Sequence, residues 1–172
     1  MKTMLKYVNA GTLSQYSNQA FVKELIHWLR FNKKDAMLSM DGLYSGCTGN
    51  PEVPRWLGRL FVARSKPQQL ADADSKKLRS SSGAVVVASL SEDRAAWVRT
   101  GQVYERLALT LTSLNIKSAF LNQPIEIAEV RGKLQSALGL KEARPQLLVR
   151  FGYADSMPQS LRRPVEQVLI ES

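Results

Sequence analysis

The sequence predicts an α+β fold, in which a central, mixed or antiparallel sheet is sandwiched by helices. Short β-branched and apolar runs at 83–89, 117–121 and 146–152 alternate with stretches of helical spacing. Elements that alternate in this way pack as layers, with helices against the faces of the sheet. Because 172 residues can bury one sizeable core, a single domain over residues 1–172 is expected.

Helical signals dominate the first half of the chain. Apolar residues recur at helical spacing across 18–31, namely Phe21, Leu25, Trp28 and Leu29. Asn32 and Asp35 form an N-x-x-D start signal for a short helix that runs to Met40. Three glycines and two prolines make 41–54 an irregular loop. Two further helices are expected over 55–63 and 67–80.

A long helix follows the first predicted strand. Ser91 is expected to cap it, with Glu92 and Asp93 in the first turn, where the helix dipole favours negative charge. One stripe of this helix holds Trp97, Gly101, Tyr104, Ala108 and Leu111. The small side chains at 101 and 108 allow another backbone to approach closely. The stripe therefore indicates a helix packed on both sides, or one at a subunit interface.

The remaining elements close the predicted sheet. After the strand at 117–121, Asn122, Gln123 and Pro124 turn the chain, and a helix is expected from Ile125 to Leu138. Gly139 is a natural residue to end that helix. The third strand, 146–152, precedes a tail that contains several prolines.

Several kinds of site are excluded or disfavoured by residue counts and motifs. One cysteine, Cys47, rules out an intrachain disulfide and any multi-cysteine metal site, and one histidine, His27, rules out two-histidine sites. A nucleophile elbow and the common phosphate-binding loops are absent. Asp72 and Asp74 are interpreted as solvated rather than as metal ligands. No catalytic residue and no metal ligand is predicted.

The charge balance predicts an anionic partner. Lys and Arg number 24 and Asp and Glu 15, a formal net charge of +9. The positive residues concentrate in a middle cluster and a late cluster, namely Arg55, Arg59, Arg64, Lys66, Lys76, Lys77 and Arg79, and Arg144, Arg150, Arg162 and Arg163. Exposed aromatic residues are not expected among them, so nucleic-acid binding is disfavoured.

Arg162 and Arg163 are the best candidates for an anion site. They are adjacent, and Pro158 and Pro164 stiffen the segment around them. Paired guanidinium groups suit bidentate binding of phosphate. The alternative is an ordinary solvated basic tail.

The N-terminal residues carry no signal-peptide pattern, and no apolar run reaches the length of a membrane span. The expected location is the cytoplasm, with no membrane partner.

Four blocks of the sequence resemble one family. In order they are FVKELIHWLRF, DGLYSGCTGNPEVPRWLG, WVRTGQVYERLALTLTSLNIKSAFLNQP and RPQLLVRFGYADSMPQSLRRPVEQVL. Together they resemble the C-terminal half of the long, tandem-type members of the nitroreductase family. The resemblance extends from about Leu5 to Leu169.

This resemblance implies a nitroreductase fold with FMN at an interface between two protomers or two repeats. It also implies reduction of a quinone-like or nitroaromatic acceptor by NAD(P)H. Asn122, Gln123 and Pro124 match the turn whose backbone approaches the flavin ring, and Arg162 and Arg163 match the basic residues near the FMN phosphate. The cofactor would supply the hydride chemistry, so no catalytic side chain is required.

The resemblance leaves one alternative open. The N-terminal half of the long members, with its arginine- and serine-containing flavin motif, has no counterpart here. Two copies are therefore expected to associate as a homodimer that replaces the missing repeat. Alternatively, the chain is a non-catalytic FMN-sequestering protein or a cofactor-less interaction domain.

Overall fold

Helices and two small sheets make up the structure, a computed structural model that describes residues 2–169. The larger sheet is antiparallel, in the order β3 (Gly83–Ser89), β5 (Arg144–Gly152) and β4 (Lys117–Phe120). The smaller one is a parallel pair of β1 (Leu29–Arg30) and β2 (Leu43–Tyr44). This mixture of helices and small sheets confirms the predicted α+β class.

The helices lie in two compact units, each of which is described by itself. They are α1 (Lys2–Ser17), α2 (Gln19–Trp28), α3 (Lys33–Ser39), α4 (Arg55–Arg64), α5 (Pro67–Arg79), α6 (Arg94–Ser113), α7 (Gln123–Glu126) and α8 (Ala128–Ala137). The first unit joins α1 to residues 66–154, and the second joins residues 18–65 to the segment from 155 onward. The single nitroreductase-like domain over 1–172 stays a prediction.

The first unit is built around β5, which is hydrogen-bonded on both sides. Leu148 and Val149 on this strand are fully buried. A cluster of buried apolar residues joins the sheet to α1, α5 and α8, namely Val8, Leu78, Leu121, Ile125, Leu134 and Leu148. The three predicted strands are confirmed, with differences of one or two residues at their ends.

The predicted cap of α6 is wrong. Asp93, not Ser91, is the N-cap residue, and its carboxylate accepts a hydrogen bond from the backbone N–H of Ala96 at 2.8 Å. That hydrogen bond is the main reason why the pKa of Asp93 lies below its usual range. Ser91 precedes the helix, and its carbonyl oxygen accepts from the Ser89 hydroxyl. Where two residues that favour the N-cap position lie close together in sequence, the first of them does not always start the helix.

The single helix predicted from Ile125 to Leu138 is also wrong. Helix α7 begins at Gln123, and the extended backbone of Ile127 (φ −96°, ψ 106°) separates it from α8. At the other end, Gly139 adopts a φ of +68°, as the sequence predicts for a residue that follows a helix.

The second unit contains the predicted short helices. Asn32 caps α3 by accepting from the backbone N–H of Asp35 at 2.9 Å, which confirms the start signal. Helix α2 ends at Trp28, earlier than expected, because Leu29 and Arg30 pair with β2. The irregular segment 41–54 therefore also contains a strand, followed by a 3₁₀ turn over Ser45–Thr48.

Candidate functional site

The segment Asn122–Pro124 is held firmly within the first unit. The side-chain oxygen of Asn122 accepts a hydrogen bond from the backbone N–H of Leu148 at 2.8 Å, which ties the end of β4 to β5. Pro124 is fully buried. Helix α1 contacts the Gln123–Pro124 peptide at Gly11, where a Cβ atom would lie 2.6 Å from Gln123 C and Pro124 N. Only glycine permits this approach.

A buried carboxylate, Asp74 of α5, organises the polar groups around this segment. Its Oδ2 accepts from the Thr12 hydroxyl at 3.1 Å and from Gln123 Nε2 at 3.0 Å. Its Oδ1 accepts from Lys77 Nζ at 2.8 Å. Burial, together with the charge of Asp74, raises the pKa of Tyr16. Asp74 thus links α1, α5 and α7.

The sequence interpretation of Asp74 as solvated is wrong, whereas Asp72 is exposed as expected. Asp74 shares one face of α5 with Ala71 and Leu78, which are both buried. The spacing of three and four residues between these positions is the signal that could have identified it.

The side chains of Asn122 and Gln123 are directed to the interior of the unit. Gln123 Nε2 is bonded to Asp74, and Gln123 Oε1 is buried with no donor among residues 2–169. Contact between this segment and a ligand would therefore involve its backbone, which is the contact that the family resemblance implies.

Arg162 and Arg163 lie in the second unit, on the irregular segment that follows β5. Both are exposed, and neither forms an ion pair within the described part of the chain. Arg162 Nη1 donates to the Ser160 hydroxyl at 2.5 Å and to the Leu161 carbonyl oxygen at 3.1 Å. Two exposed guanidinium groups outside any ion pair of the described residues remain able to bind an anion.

Asp41 lies within electrostatic range of Arg163. The pKa of Asp41 is lowered chiefly by its hydrogen bond from Arg30, then by that from Ser39, with a smaller effect of the charge of Arg163. The site residues that the sequence predicts lie in two groups, 122–124 in the first unit and 162–163 in the second.

His27 and Cys47 do not assemble a conventional catalytic site. His27 is exposed, and its ring meets Trp28 edge-on at 5.3 Å. Cys47 is partly buried in the 3₁₀ turn. Across residues 2–169, no group of three or more His, Cys, Asp or Glu side chains could hold a metal ion. Over the same range, no helix is long and apolar enough to cross a membrane.

The middle basic cluster does contain exposed aromatic residues, contrary to the sequence expectation. Trp56 is 68% and Phe61 58% exposed on α4, which also carries Arg55, Arg59 and Arg64. The buried face of α4 is the one that carries Gly58, which lies against the ring of Phe31. A glycine on the buried face gives no apolar signal, so periodicity could not reveal which face is exposed.

One face of α6 is exposed in the described part of the chain. Trp97, Val98 and Leu109 are each more than half exposed. At Gly101, between them, no atom lies within 4 Å of the position that a Cβ would occupy. This α6 face, defined by Trp97, Val98, Gly101 and Leu109, has room for another backbone.

Two curated proteins of Mycobacterium tuberculosis are similar to the chain. They are named "Putative NAD(P)H nitroreductase Rv3131", from strain H37Rv, and "Putative NAD(P)H nitroreductase MT3217", from strain CDC 1551 / Oshkosh. Each is 30% identical over an alignment of 185 positions, gaps included, which covers 96% of this chain and 47% of the relative. The chain therefore spans about half the length of these relatives. No family model matches it, and no solved structure matches it significantly.

Proposed function

Since this similarity supports a nitroreductase family assignment, we propose that the chain binds FMN and reduces quinone-like or nitroaromatic acceptors with NAD(P)H. The observation that carries the proposal is the match over 96% of the chain. Bound FMN would accept a hydride and pass electrons to the acceptor. The residues of the chain then have to bind the cofactor, orient it and exclude water.

Arg162 and Arg163 would hold the FMN phosphate. Their side chains are exposed, and neither forms an ion pair within the described residues, so both can donate to phosphate oxygens. A guanidinium group also stays charged at any physiological pH and presents paired N–H donors to phosphate oxygens. The chemistry of this donor set therefore fits the phosphate end of FMN.

The segment Asn122–Pro124 would position the flavin ring through its backbone. The hydrogen bond from Leu148 and the close contact with Gly11 fix this backbone before any ligand binds. A preorganised surface binds with less loss of conformational entropy than a mobile loop.

A second copy of the chain would cover the α6 face in a homodimer. Exposed large apolar side chains on one helix are typical of interaction surfaces. The relatives are about twice as long, so a dimer of this chain would have a comparable number of residues. FMN would then lie at the interface between protomers.

The absorbance spectrum of the purified protein, before and after addition of FMN and removal of the excess, tests cofactor binding. An oxidised-flavin spectrum that remains with the protein supports the site. NAD(P)H oxidation by the FMN-saturated protein, with quinone and nitroaromatic acceptors, then tests the activity. Absence of turnover with every acceptor would contradict the enzymatic proposal.

The Arg162→Ala/Arg163→Ala variant should bind FMN more weakly. Each lost charged hydrogen bond to phosphate should cost about 1.5–3 kcal/mol of binding free energy. FMN fluorescence quenching measures the dissociation constant, with riboflavin, which lacks the phosphate, as a parallel ligand. Riboflavin affinity should change little.

The matched control is Arg59→Ala/Arg64→Ala, which removes two exposed arginines from α4 of the same unit. If both variants lose the same FMN affinity, the effect is one of net charge. The pair at 162–163 would then not be the phosphate site.

Gly101→Arg should abolish the homodimer without unfolding the protomer. No atom of the described residues lies within 4 Å of a Cβ at this position, so the exposed helix can accept the substitution, but the arginine would occupy the space proposed for the partner's backbone. Sedimentation velocity or light scattering measures the change from dimer to monomer.

Gly132→Arg is the control for this change, because a Cβ at Gly132 of α8 also meets no described atom within 4 Å and the residue is not part of the α6 face. This variant should remain dimeric. A Gly101→Arg protein that stays dimeric would place the interface elsewhere.

Two non-catalytic functions are the alternatives to this proposal. The chain would either hold FMN without turnover or bind a protein partner without any cofactor. Stable flavin binding without NAD(P)H oxidation would favour sequestration, and a protein that never binds FMN would favour an interaction domain.

A further inference from the structure

A cleft of about 610 Å³ lies between α1 and α5 of the first unit, apart from the residues assigned to FMN. Its rim carries three cations, Lys6 from α1 and Lys76 and Arg79 from α5. All three side chains are exposed. The volume lies within the usual range of small-molecule sites, roughly 300–1,000 Å³.

The positive charge of this cleft is largely uncompensated. None of the three cations forms an ion pair within residues 2–169. The adjacent Lys77 differs, because it is paired with Asp74. One carboxylate, Asp72, lines the cleft, and it accepts a hydrogen bond from Gln68 at 2.8 Å. Three cations and one carboxylate give the cleft a net charge of +2.

The helix dipole explains only part of this arrangement. Lys76 and Arg79 are in the last turn of α5, where the dipole favours positive charge. Lys6, in contrast, lies near the N-terminal end of α1, where a cation gains nothing from its own helix. The convergence of cations from two helices therefore favours an anion between them.

Neutral groups in the cleft can complete an anion site. Asn9 and Ser75 line it, and their side chains form no hydrogen bond within the described part of the chain. An amide N–H and a hydroxyl can both donate to anionic oxygens. Leu5 adds a partly buried apolar surface, against which an organic group can pack.

We propose that this cleft binds a small molecule that carries a diphosphate group, such as a nucleoside diphosphate. Two linked phosphates match the net charge of the cleft and span more than one cation. Lys76, Arg79 and Lys6 contact the phosphate oxygens, and Asn9 and Ser75 donate the remaining hydrogen bonds. The site shares no lining residue with the proposed flavin site.

Isothermal titration of the chain with ADP, at low and at physiological ionic strength, tests the proposal. Saturable binding with one ADP per chain is expected, weaker at higher salt, with competition by inorganic pyrophosphate and no binding of adenosine. The measurement needs neither FMN nor NAD(P)H, so its result is separate from that of the reductase assay. An ADP titration without binding at low ionic strength would overturn the proposal.

Variants locate the site. Lys76→Ala/Arg79→Ala should weaken ADP binding about tenfold or more, and Lys6→Ala, on the other helix, about threefold or more. Arg94→Ala/Lys141→Ala removes the same two residue types from exposed positions outside the cleft and should change affinity less than about twofold. Far-UV circular dichroism confirms folding. Equal losses in the cleft and control variants would assign binding to overall charge and overturn the proposal.

Discussion

Asp74→Ala is expected to lower the free energy of unfolding by about 1–3 kcal/mol, the cost of one buried polar group left unpaired. The carboxylate accepts from Thr12 and Gln123 in the interior of the first unit. Without it, the Thr12 hydroxyl still has the Val8 carbonyl oxygen at 3.0 Å. The Gln123 amide, whose Oε1 already has no donor in the described residues, would be left with neither end paired.

Lys77 contributes little to this loss. Its side chain is 51% exposed, so water replaces the interaction with Asp74 when the carboxylate is removed. Chemical denaturation with urea measures the change in unfolding free energy. The midpoint should fall with little change in the slope.

Asp72→Ala is the matched control, two residues away on the same helix. Asp72 is exposed and accepts one hydrogen bond, from Gln68. Its removal should change stability by less than about 0.5 kcal/mol. Equal effects of the two substitutions would show that burial of Asp74 does not contribute to stability.

Gly11→Ala is expected to lower the unfolding free energy by about 1–3 kcal/mol, although alanine is normally the better helix residue. The added methyl group would lie 2.6 Å from backbone atoms of Gln123 and Pro124. Backbone atoms cannot rotate away as a flexible side chain can, so α1 and α7 would have to separate. Thermal and urea denaturation measure the loss.

The same substitution should also weaken FMN binding, if the segment 122–124 positions the flavin as proposed. Gly132→Ala is the control, because no atom lies within 4 Å of its Cβ position. There the methyl group should stabilise α8 by about 0.5–1 kcal/mol. A Gly11→Ala protein as stable as Gly132→Ala would contradict the contact between α1 and α7.

Local signals in the sequence predicted much of the fold. Asn32 and Asp35 identified the start of α3, and Gly139 identified the end of α8, because capping depends on residues close in sequence. The β-branched run at 83–89 predicted β3 for the same reason. Where two local signals competed, as at Ser91 and Asp93, sequence alone did not decide the boundary.

Helix α1 shows why other parts could not be predicted. Its buried positions are Val8, Gly11, Thr12 and Gln15, of which Val8 alone is a large apolar residue. Hydrophobic periodicity is therefore weak, and the helix is stabilised by contacts with residues far along the chain. Asp74 was misinterpreted for a related reason, since its partners Thr12 and Gln123 are distant in sequence.

For the candidate site, the sequence predicted residues 122–124 and 162–163 but not their surroundings. Exposure of Arg162 and Arg163 was a reasonable expectation for a basic tail containing prolines. The inward direction of the Gln123 side chain, in contrast, was not predicted. It depends on a hydrogen bond to Asp74, which the sequence interpretation had treated as solvated.

The order of the elements along the chain also affects the stability of the first unit. Helix α1 packs against α5, yet 48 residues (18–65) of the second unit connect them in sequence. That connection acts as a tether, which sets the effective concentration of α1 near its docking surface. Closing a loop of this length costs about 3.5 kcal/mol of chain entropy. A single proteolytic cut between 18 and 65 would make the docking of α1 bimolecular, so that the integrity of the first unit would depend on protein concentration.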